Sequence, residues 1–499
     1  MRVVVAGGGI AALEVLAGLR ALAGDRVHAT LLAPEAFFSY RPLSTAVPFT
    51  FREERRRTLD ELASGLGAAF VRDGLAQVDA ARRRILTHDG DFLPYDTLVL
   101  AVGARAASAG AGETWARGAG GTSLLSRLLR QLEDGVLRSV AFVVPRRAAW
   151  PIDAYELSFV ASLAARRAGA APKVFLLTAE DAPLQALGAA AGEAVGAELA
   201  RAGVELITGV DVRDHAAGEE RGRDAFSAMV ARVSRRRRQR AAREHTVLQL
   251  EPGSPLAVDL AVSLPAVYGP AMAGMAHDRS GFVPVDGHCR IPDASGLYAA
   301  GDATSLSLKH STLAASQATA AAEAIAAQAG ADVEPNPWSP VLYGILALPP
   351  HFPGPPGSPW LDHGEPVTHC LWWPPGHVAG RHLAPYLSSV DPGVRPGLEW
   401  HANGLPIAVP VDMDADAQAG APPSVPSEAA VRHDAITRQL MAIHRAEREG
   451  AKLEQALERR GREFERHERE VIQRLHAAGY LRDEDAKRRW RTTRVGGSG

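Results

Sequence analysis

The stretch Arg2-Val-Val-Val-Ala-Gly-Gly-Gly-Ile-Ala-Ala-Leu13 decides how this chain folds. The run from Arg2 to Ala6 is dominated by β-branched residues and enters three glycines. An Ala/Leu-rich segment then continues to about Ala23, and a second apolar run follows from Val27 to Leu32. That order predicts a strand, a tight turn, a helix and a second strand from the first residues onward. At Gly7-x-Gly9-x-x-Ala12 the residue types match the task at each place. Gly7 permits the turn, Gly9 lets backbone N–H groups approach a pyrophosphate, and small Ala12 allows the helix to close on the strand. The helix N-terminus would then face the phosphates. A ribose-binding acid is expected at the end of the second strand, where Ala33 stands; Glu35, two residues on, is the substitute.

Further along, Tyr95-Asp-Thr-Leu-Val-Leu-Ala-Val-Gly103 reads as a buried strand ending on glycine. A second βαβ set runs through Val140-Ala-Phe-Val-Val144, a helix from about Ala154 to Arg167, and Val174 to Leu177. Gly296-Leu-Tyr-Ala-Ala-Gly-Asp302 repeats the strand-to-glycine pattern and leads into an Ala-rich helix to about Ala329. The predicted class is α/β: two Rossmann-like doubly wound domains, a smaller third region and a helical C-terminal extension. The expected boundaries are 1–112 plus 275–330 for the first domain, 113–274 for the second with an Arg-rich insertion at 213–244, and 331–412 for a Pro/Trp-rich region. A linker at 413–430 and a helix over 431–487 would follow. The 335–375 stretch reads as irregular structure or short strands.

Composition narrows the function. Among 499 residues, 55 Lys+Arg against 57 Asp+Glu give a net charge of −2, so no global field draws nucleic acid or an acidic membrane. Two cysteines, Cys289 and Cys370, provide neither a disulfide framework nor a zinc or iron–sulfur site, and no metal is expected. The apolar start is no spanning helix, because glycines interrupt it and Glu14 charges it. A cytoplasmic protein is expected, with peripheral contact at the inner membrane face left open.

The N-terminal fingerprint, Phe37-Phe-Ser-Tyr-Arg-Pro-Leu43, the 95–103 strand and the Gly301-Asp302 strand occur in the order and spacing of flavoproteins with two dinucleotide-binding domains. Within that superfamily the chain most resembles type II NADH:quinone oxidoreductases and sulfide:quinone oxidoreductases, over roughly residues 1 to 390. The resemblance implies FAD, with its pyrophosphate on Gly7, Gly9, Ile10, Ala11 and Ala12 and its ribose near Glu35. It places Arg41 and Pro42 beside the flavin, Ala101 to Gly103 along the cofactor, and Gly301 and Asp302 at the ribityl-phosphate region. Lys309, His310 and Gln317 would stand at the isoalloxazine, where a cation or helix start favours an anionic reduced ring. It implies an FAD-dependent oxidoreductase moving two electrons from an unidentified donor to a quinone or other small acceptor. Two alternatives stand beside it: a type II-like NAD(P)H dehydrogenase with an atypical nucleotide site, and a flavin-bearing interaction protein with little or no turnover.

Departures from the family bear on the donor. In the second βαβ unit the three glycine places hold Ala149, Pro151 and Ala154, and proline has no N–H to offer a phosphate. An ordinary NAD(P)H site is therefore not expected, although Arg146-Arg147 leaves phosphate binding by charge open. Trp150-Pro151-x-x-Ala154-Tyr155-Glu156 resembles the sulfide group, yet no cysteine precedes Cys289, so the disulfide route to sulfide oxidation is unsupported. Cys289, in Val285-Asp-Gly-His-Cys-Arg290, reads as a structural thiol in a strand. Leu371-Trp-Trp-Pro-Pro-Gly-His377 with Gly380 to Tyr386 suits either an apolar acceptor pocket or an aromatic plug. Seven arginines lie within 232–243 without an interleaved aromatic, which favours a solvated insertion over a nucleic-acid site. Ile436, Ile443, Leu457, Phe464 and Val471 keep a seven-residue period in the tail, which suits self-association or a partner helix.

Overall fold

A computed structural model describes residues 1–39, 56–108, 111–115, 119–214, 245–346, 371–373, 380–390 and 405–413. All of them fall in the first of two compact units, Met1–Pro422. Arg41, Pro42, the 232–243 arginine run, Cys370 and the 431–487 tail lie outside the described residues.

The chain begins with β1 (Arg2–Ala6), α1 (Ile10–Leu22) and β2 (His28–Leu32), followed by α2 (Leu59–Gly65), β3 (Ala69–Val71) and β4 (Thr97–Leu100). A second set holds β5 (Glu113–Thr114), α3 (Ala119–Glu133), β6 (Ser139–Val144), α4 (Ile152–Arg167), β7 (Lys173–Thr178), α5 (Ala189–Arg201), β8 (Val204–Ile207) and β9 (Leu260–Ser263). Then β10 (Leu297–Ala299) rejoins the first sheet and leads to α6 (Ser311–Gln328). The first sheet has the order β10-β4-β1-β2-β3 and the second β5-β9-β6-β7-β8. Every pair in both is parallel. Parallel strands are covered on both faces, which is why Val3–Ala6 and Val140–Val144 are apolar without alternation. Along β1, Val3 and Val5 face a core shared with α1 and α6, while Val4 and Ala6 face a second core with Leu98 and Leu297.

The Pro/Trp-rich region contains a regular element. A three-stranded antiparallel sheet places β11 (Val341–Leu346) between β12 (Trp372–Trp373) and β13 (Leu405–Pro410), with α7 (Leu383–Val390) between the last two in sequence. A Cβ on Gly344 would overlap the Trp372 indole, so this glycine is what lets the ring lie on the sheet. The strand expected over Val285–Arg290 is instead a turn. Asp286 Oδ1 accepts from His288 N at 2.8 Å and Arg290 N at 2.9 Å, and Cys289 takes a left-handed φ of 62°. An aspartate that bonds its own downstream amides competes successfully with strand pairing here. Cys289 is fully buried.

Helices α1 and α6 meet face to face, and a Cβ on Gly18 would stand 2.7 Å from Ala322 Cβ. Beside that contact Glu14 is wholly buried. Its Oε1 accepts from Thr319 Oγ1 (2.8 Å) on α6 and from His382 N (3.0 Å), and its Oε2 from Leu383 N (2.7 Å) at the start of α7. At the far end of α7, Arg57 donates to Val390 O (2.5 Å), and Tyr386 OH donates to Leu62 O of α2 (3.3 Å). Among the described residues no helix is long and apolar enough to cross a membrane. Glu14→Ala would leave two backbone N–H groups of a buried helix start without an acceptor. It is expected to lower stability by about 3 kcal/mol, with Glu14→Gln losing less. The urea midpoint measures this, and an unchanged midpoint for the alanine variant would contradict the assignment.

Candidate functional site

The glycine turn after β1 is shaped from two sides. Gly7 has φ +126°, donates to Leu32 O at 2.8 Å, and has no room for a Cβ, which would overlap the Ala101 carbonyl at the end of β4. A Cβ on Gly8 would lie 2.6 Å from Leu59 Cδ1 and 3.5 Å from a carboxylate oxygen of the exposed Glu35, so that acid stands beside the turn. Gly9 differs from both. It is extended (φ −92°, ψ −172°), and a Cβ there would meet nothing within 4 Å. Gly9 is also the N-cap of α1, whose start has no side-chain cap and no acid in its first turn. The positive start of α1 therefore lies beside the free space over Gly9.

Two further strand ends converge on this turn. Ala101 N donates to Ala6 O at 2.8 Å, and Gly103 follows at φ +72° with open space where a side chain would be. Gly301, past β10, has φ +77° and would place a Cβ 3.0 Å from Ala11 Cβ and 3.4 Å from Ala314 Cβ, so it joins the starts of α1 and α6. Gln317 on α6 is fully buried. Its Oε1 accepts from Gly301 N (2.7 Å) and Thr304 Oγ1 (3.2 Å), and its carbonyl accepts from the Cys289 thiol (3.2 Å). Gly301 N, which can only donate, fixes which end of the amide is oxygen, leaving Nε2 as a buried donor with no partner among the described residues. Burial pushes the Cys289 thiol well above the usual range, so it is no nucleophile.

Lys309 and His310 stand at the start of α6, against the second sheet's connections. Lys309 N donates to Ala149 O at 3.0 Å, and its Nζ donates to Thr304 O at 2.7 Å and lies 3.8 Å from the centre of the Phe282 ring. Its side chain is buried. That burial lowers its pKa to about 8, against the opposing pull of Asp302 and Asp278. His310 caps α6 through Nδ1, which accepts from Thr312 N at 3.2 Å. Its ring centre lies 4.6 Å from Trp150 and 5.8 Å from Trp372.

The structure thus gathers Gly7, Gly9, Ile10, Ala11, Ala12, Glu35, Ala101, Gly103, Gly301 and Gln317 about the first turn of α1. Asp302, Lys309 and His310 follow along one connection. Thr304 and Phe282, which hold the Lys309 ammonium, carried no sequence signal, since a hydroxyl and a ring tens of residues from any motif look like packing. The aromatic partners of His310 were visible only as isolated tryptophans.

A lysine held at about 8 instead of 10.5 binds its proton less tightly folded than unfolded. Stability from this group therefore rises as pH climbs through that interval and is lost again below it. Apo-protein is expected to gain up to about 3 kcal/mol relative to Lys309→Met between pH 8 and 10.5. Denaturation midpoints across that range test this, and parallel curves for the two proteins would refute it.

No protein-family model matches the sequence, and no curated protein matches it. Among solved structures, the sulfide:quinone oxidoreductase of the hyperthermophilic bacterium Aquifex aeolicus is similar with a TM-score of 0.55. The match covers 69% of this chain and 80% of that one, at 18% identity. A ferredoxin reductase of Rhodopseudomonas palustris is similar over 70% of this chain and 83% of that one, at 18% identity and a TM-score of 0.48. The fold of this chain is the two-dinucleotide-domain fold that the Aquifex enzyme also has.

Proposed function

We propose that the protein is an FAD-dependent oxidoreductase that passes two electrons from a small donor to a small acceptor. The observation that carries the reading is the uncapped start of α1 beside the free space over Gly9. A helix start of this kind binds an anion, and an elongated dianionic dinucleotide is the kind of molecule that satisfies it. FAD, when bound, supplies reversible two-electron chemistry.

The chain's own residues bind and tune. The amides of Ile10, Ala11 and Ala12 would hold the pyrophosphate, and the Glu35 carboxylate would accept from a ribose hydroxyl. Ala101 and Gly103 keep a path free of side chains, while Gly301 and Asp302 would meet the ribityl-phosphate region. Lys309 provides a desolvated positive charge whose field is felt strongly because water is excluded around it. Arg41 and Pro42 are assigned beside the flavin by the resemblance alone.

The similar Aquifex protein is a sulfide:quinone oxidoreductase. Of those two substrates only a quinone is carried over here. This sequence has no cysteine before Cys289, and Cys289 is buried and hydrogen-bonded, so among the described residues no thiolate is at hand to take up sulfur.

Purified protein is expected to be yellow with bound FAD. Compared as flavin-free proteins, Gly9→Ala should retain the circular dichroism and thermal midpoint of the parent, since the added methyl meets no described protein atom within 4 Å. The same variant should lose FAD by about tenfold or more, because the methyl projects where a pyrophosphate must approach. Gly7→Ala should fail to fold stably. A Gly9→Ala protein that keeps full flavin content would overturn the site.

A further inference from the structure

We infer that the phosphate turn of the second βαβ unit is the seat of the chain's own third sheet, β11 to β13, and is shut to nucleotides. The nicotinamide dinucleotide expected in this fold does not fit there. As a consequence, which rests on the FAD reading above, the reductant of the flavin is not a nicotinamide nucleotide bound to the second unit.

Backbone accounting separates the two turns. Around Gly9 a Cβ would meet nothing within 4 Å. Between β6 and α4 the chain bonds to itself and its neighbours: Ala148 N donates to Pro145 O at 2.9 Å, Val267 N to Arg147 O at 3.0 Å, and Lys309 N to Ala149 O at 3.0 Å. Pro151, the N-cap of α4, has no N–H, and its carbonyl is taken by Ala154 N at 3.1 Å. Both Trp150 and Pro151 are buried.

Side chains from the third sheet complete the closure. Trp372 of β12 meets Trp150 edge-on at 5.2 Å, and Leu342, Leu346, Leu371 and Ile407 belong to the same buried apolar cluster as Trp150, Ile152 and Tyr155. Glu156 on α4 accepts from Leu371 N at 2.7 Å, anchoring the entry to β12 on the helix. A Cβ on Gly188 would touch Val409 of β13 at 3.7 Å.

The acid after β7, where a ribose would be recognised, is turned to internal use as well. Glu180 accepts from Thr178 Oγ1 and Ala186 N, each at 3.4 Å. Tyr155 OH accepts from Leu184 N at 3.0 Å, which folds the 179–188 segment back over α4, with Leu184 fully buried in a left-handed conformation. The arginine pair has partners within the chain. Arg146 is bonded to Asp211 at 3.1 Å, and Arg147 donates to Ser280 Oγ at 2.5 Å with its guanidinium 5.0 Å from the Tyr268 ring centre. These contacts engage part of each guanidinium in the protein's own structure.

Equilibrium dialysis of the flavin-loaded full chain against NADH and NADPH tests the closure without relying on the flavin. No saturable binding is expected, whereas saturation with a Kd below about 1 mM would overturn the inference. In the same preparation dithionite should bleach the flavin anaerobically while neither nucleotide does. Bleaching by NADH in turnover time would overturn the inference, and colourless protein would fail the FAD reading instead. The seat is tested separately by hydrogen exchange on Trp150→Gly and Trp150→Phe. The glycine variant should exchange at least about tenfold faster in Val341–Leu346 and Leu405–Pro410, with Arg2–Ala6 unchanged, and phenylalanine should restore most of the protection. Unchanged protection of the third sheet in Trp150→Gly would refute the seat.

Discussion

A single buried carboxylate holds the arrangement on which the candidate site depends. Glu14 lies wholly inside the protein, and a charge there persists only if donors replace the water it gave up. Two elements provide them to the acid that α1 carries: α6 offers Thr319 Oγ1, and the start of α7 offers the amides of His382 and Leu383. The neighbourhood is built around that demand. Gly380 has no side chain because a Cβ would overlap the carboxylate, and Gly18 lets α1 approach Ala322 closely enough for Thr319 to reach. With α1 and α6 locked, their starts are locked too, and Gly301 can sit between Ala11 and Ala314. The uncapped helix start at Gly9 and the buried Gln317 amide are therefore consequences of packing decided one or two turns further along the same helices.

The two βαβ units share the order of four neighbouring strands, β4-β1-β2-β3 and β9-β6-β7-β8, and have opposite surroundings. In the first, glycine at position 9 leaves free space beside an uncapped helix start. In the second, proline at 151 removes a donor, tryptophan at 150 fills the volume, and a sheet from the third region packs over both. Lys309 links the two halves, because its amide is spent on Ala149 of the second turn while its ammonium is held by Thr304 just past the first sheet. A cation desolvated in this way is costly to the fold, and that cost makes sense where charge compensation for a bound group is wanted.

Much of this was legible in the residues. The β-branched runs, the glycines at 7, 9, 103 and 301, and the Ala-rich α6 each announce local backbone geometry, and each stands where a doubly wound sheet requires it. Glu14 was legible only as a charge in an apolar run, an argument against a membrane span, because its partners lie more than 300 residues away. Cys289 sits in a turn and not a strand because Asp286 bonds amides two and four residues on, a competition that apolar patterning does not register. The third sheet was hidden because β11 pairs with strands separated from it by long Pro- and Gly-rich connections, and because Trp372 packs on a glycine instead of on an alternating apolar face.

Periodicity and glycine placement are properties of neighbours along the chain, so the residue order alone was enough to specify two parallel sheets, each with a phosphate-type turn, and to mark Pro151 as a defect in the second. Which turn would be open is a property of neighbours in space. It depends on Leu371 reaching Glu156 and on Trp372 reaching Trp150, contacts across more than 200 residues. The partly lost basicity of Lys309 and the spare donor of Gln317 belong to that second kind, because burial and hydrogen-bond satisfaction exist only once the chain has closed on itself.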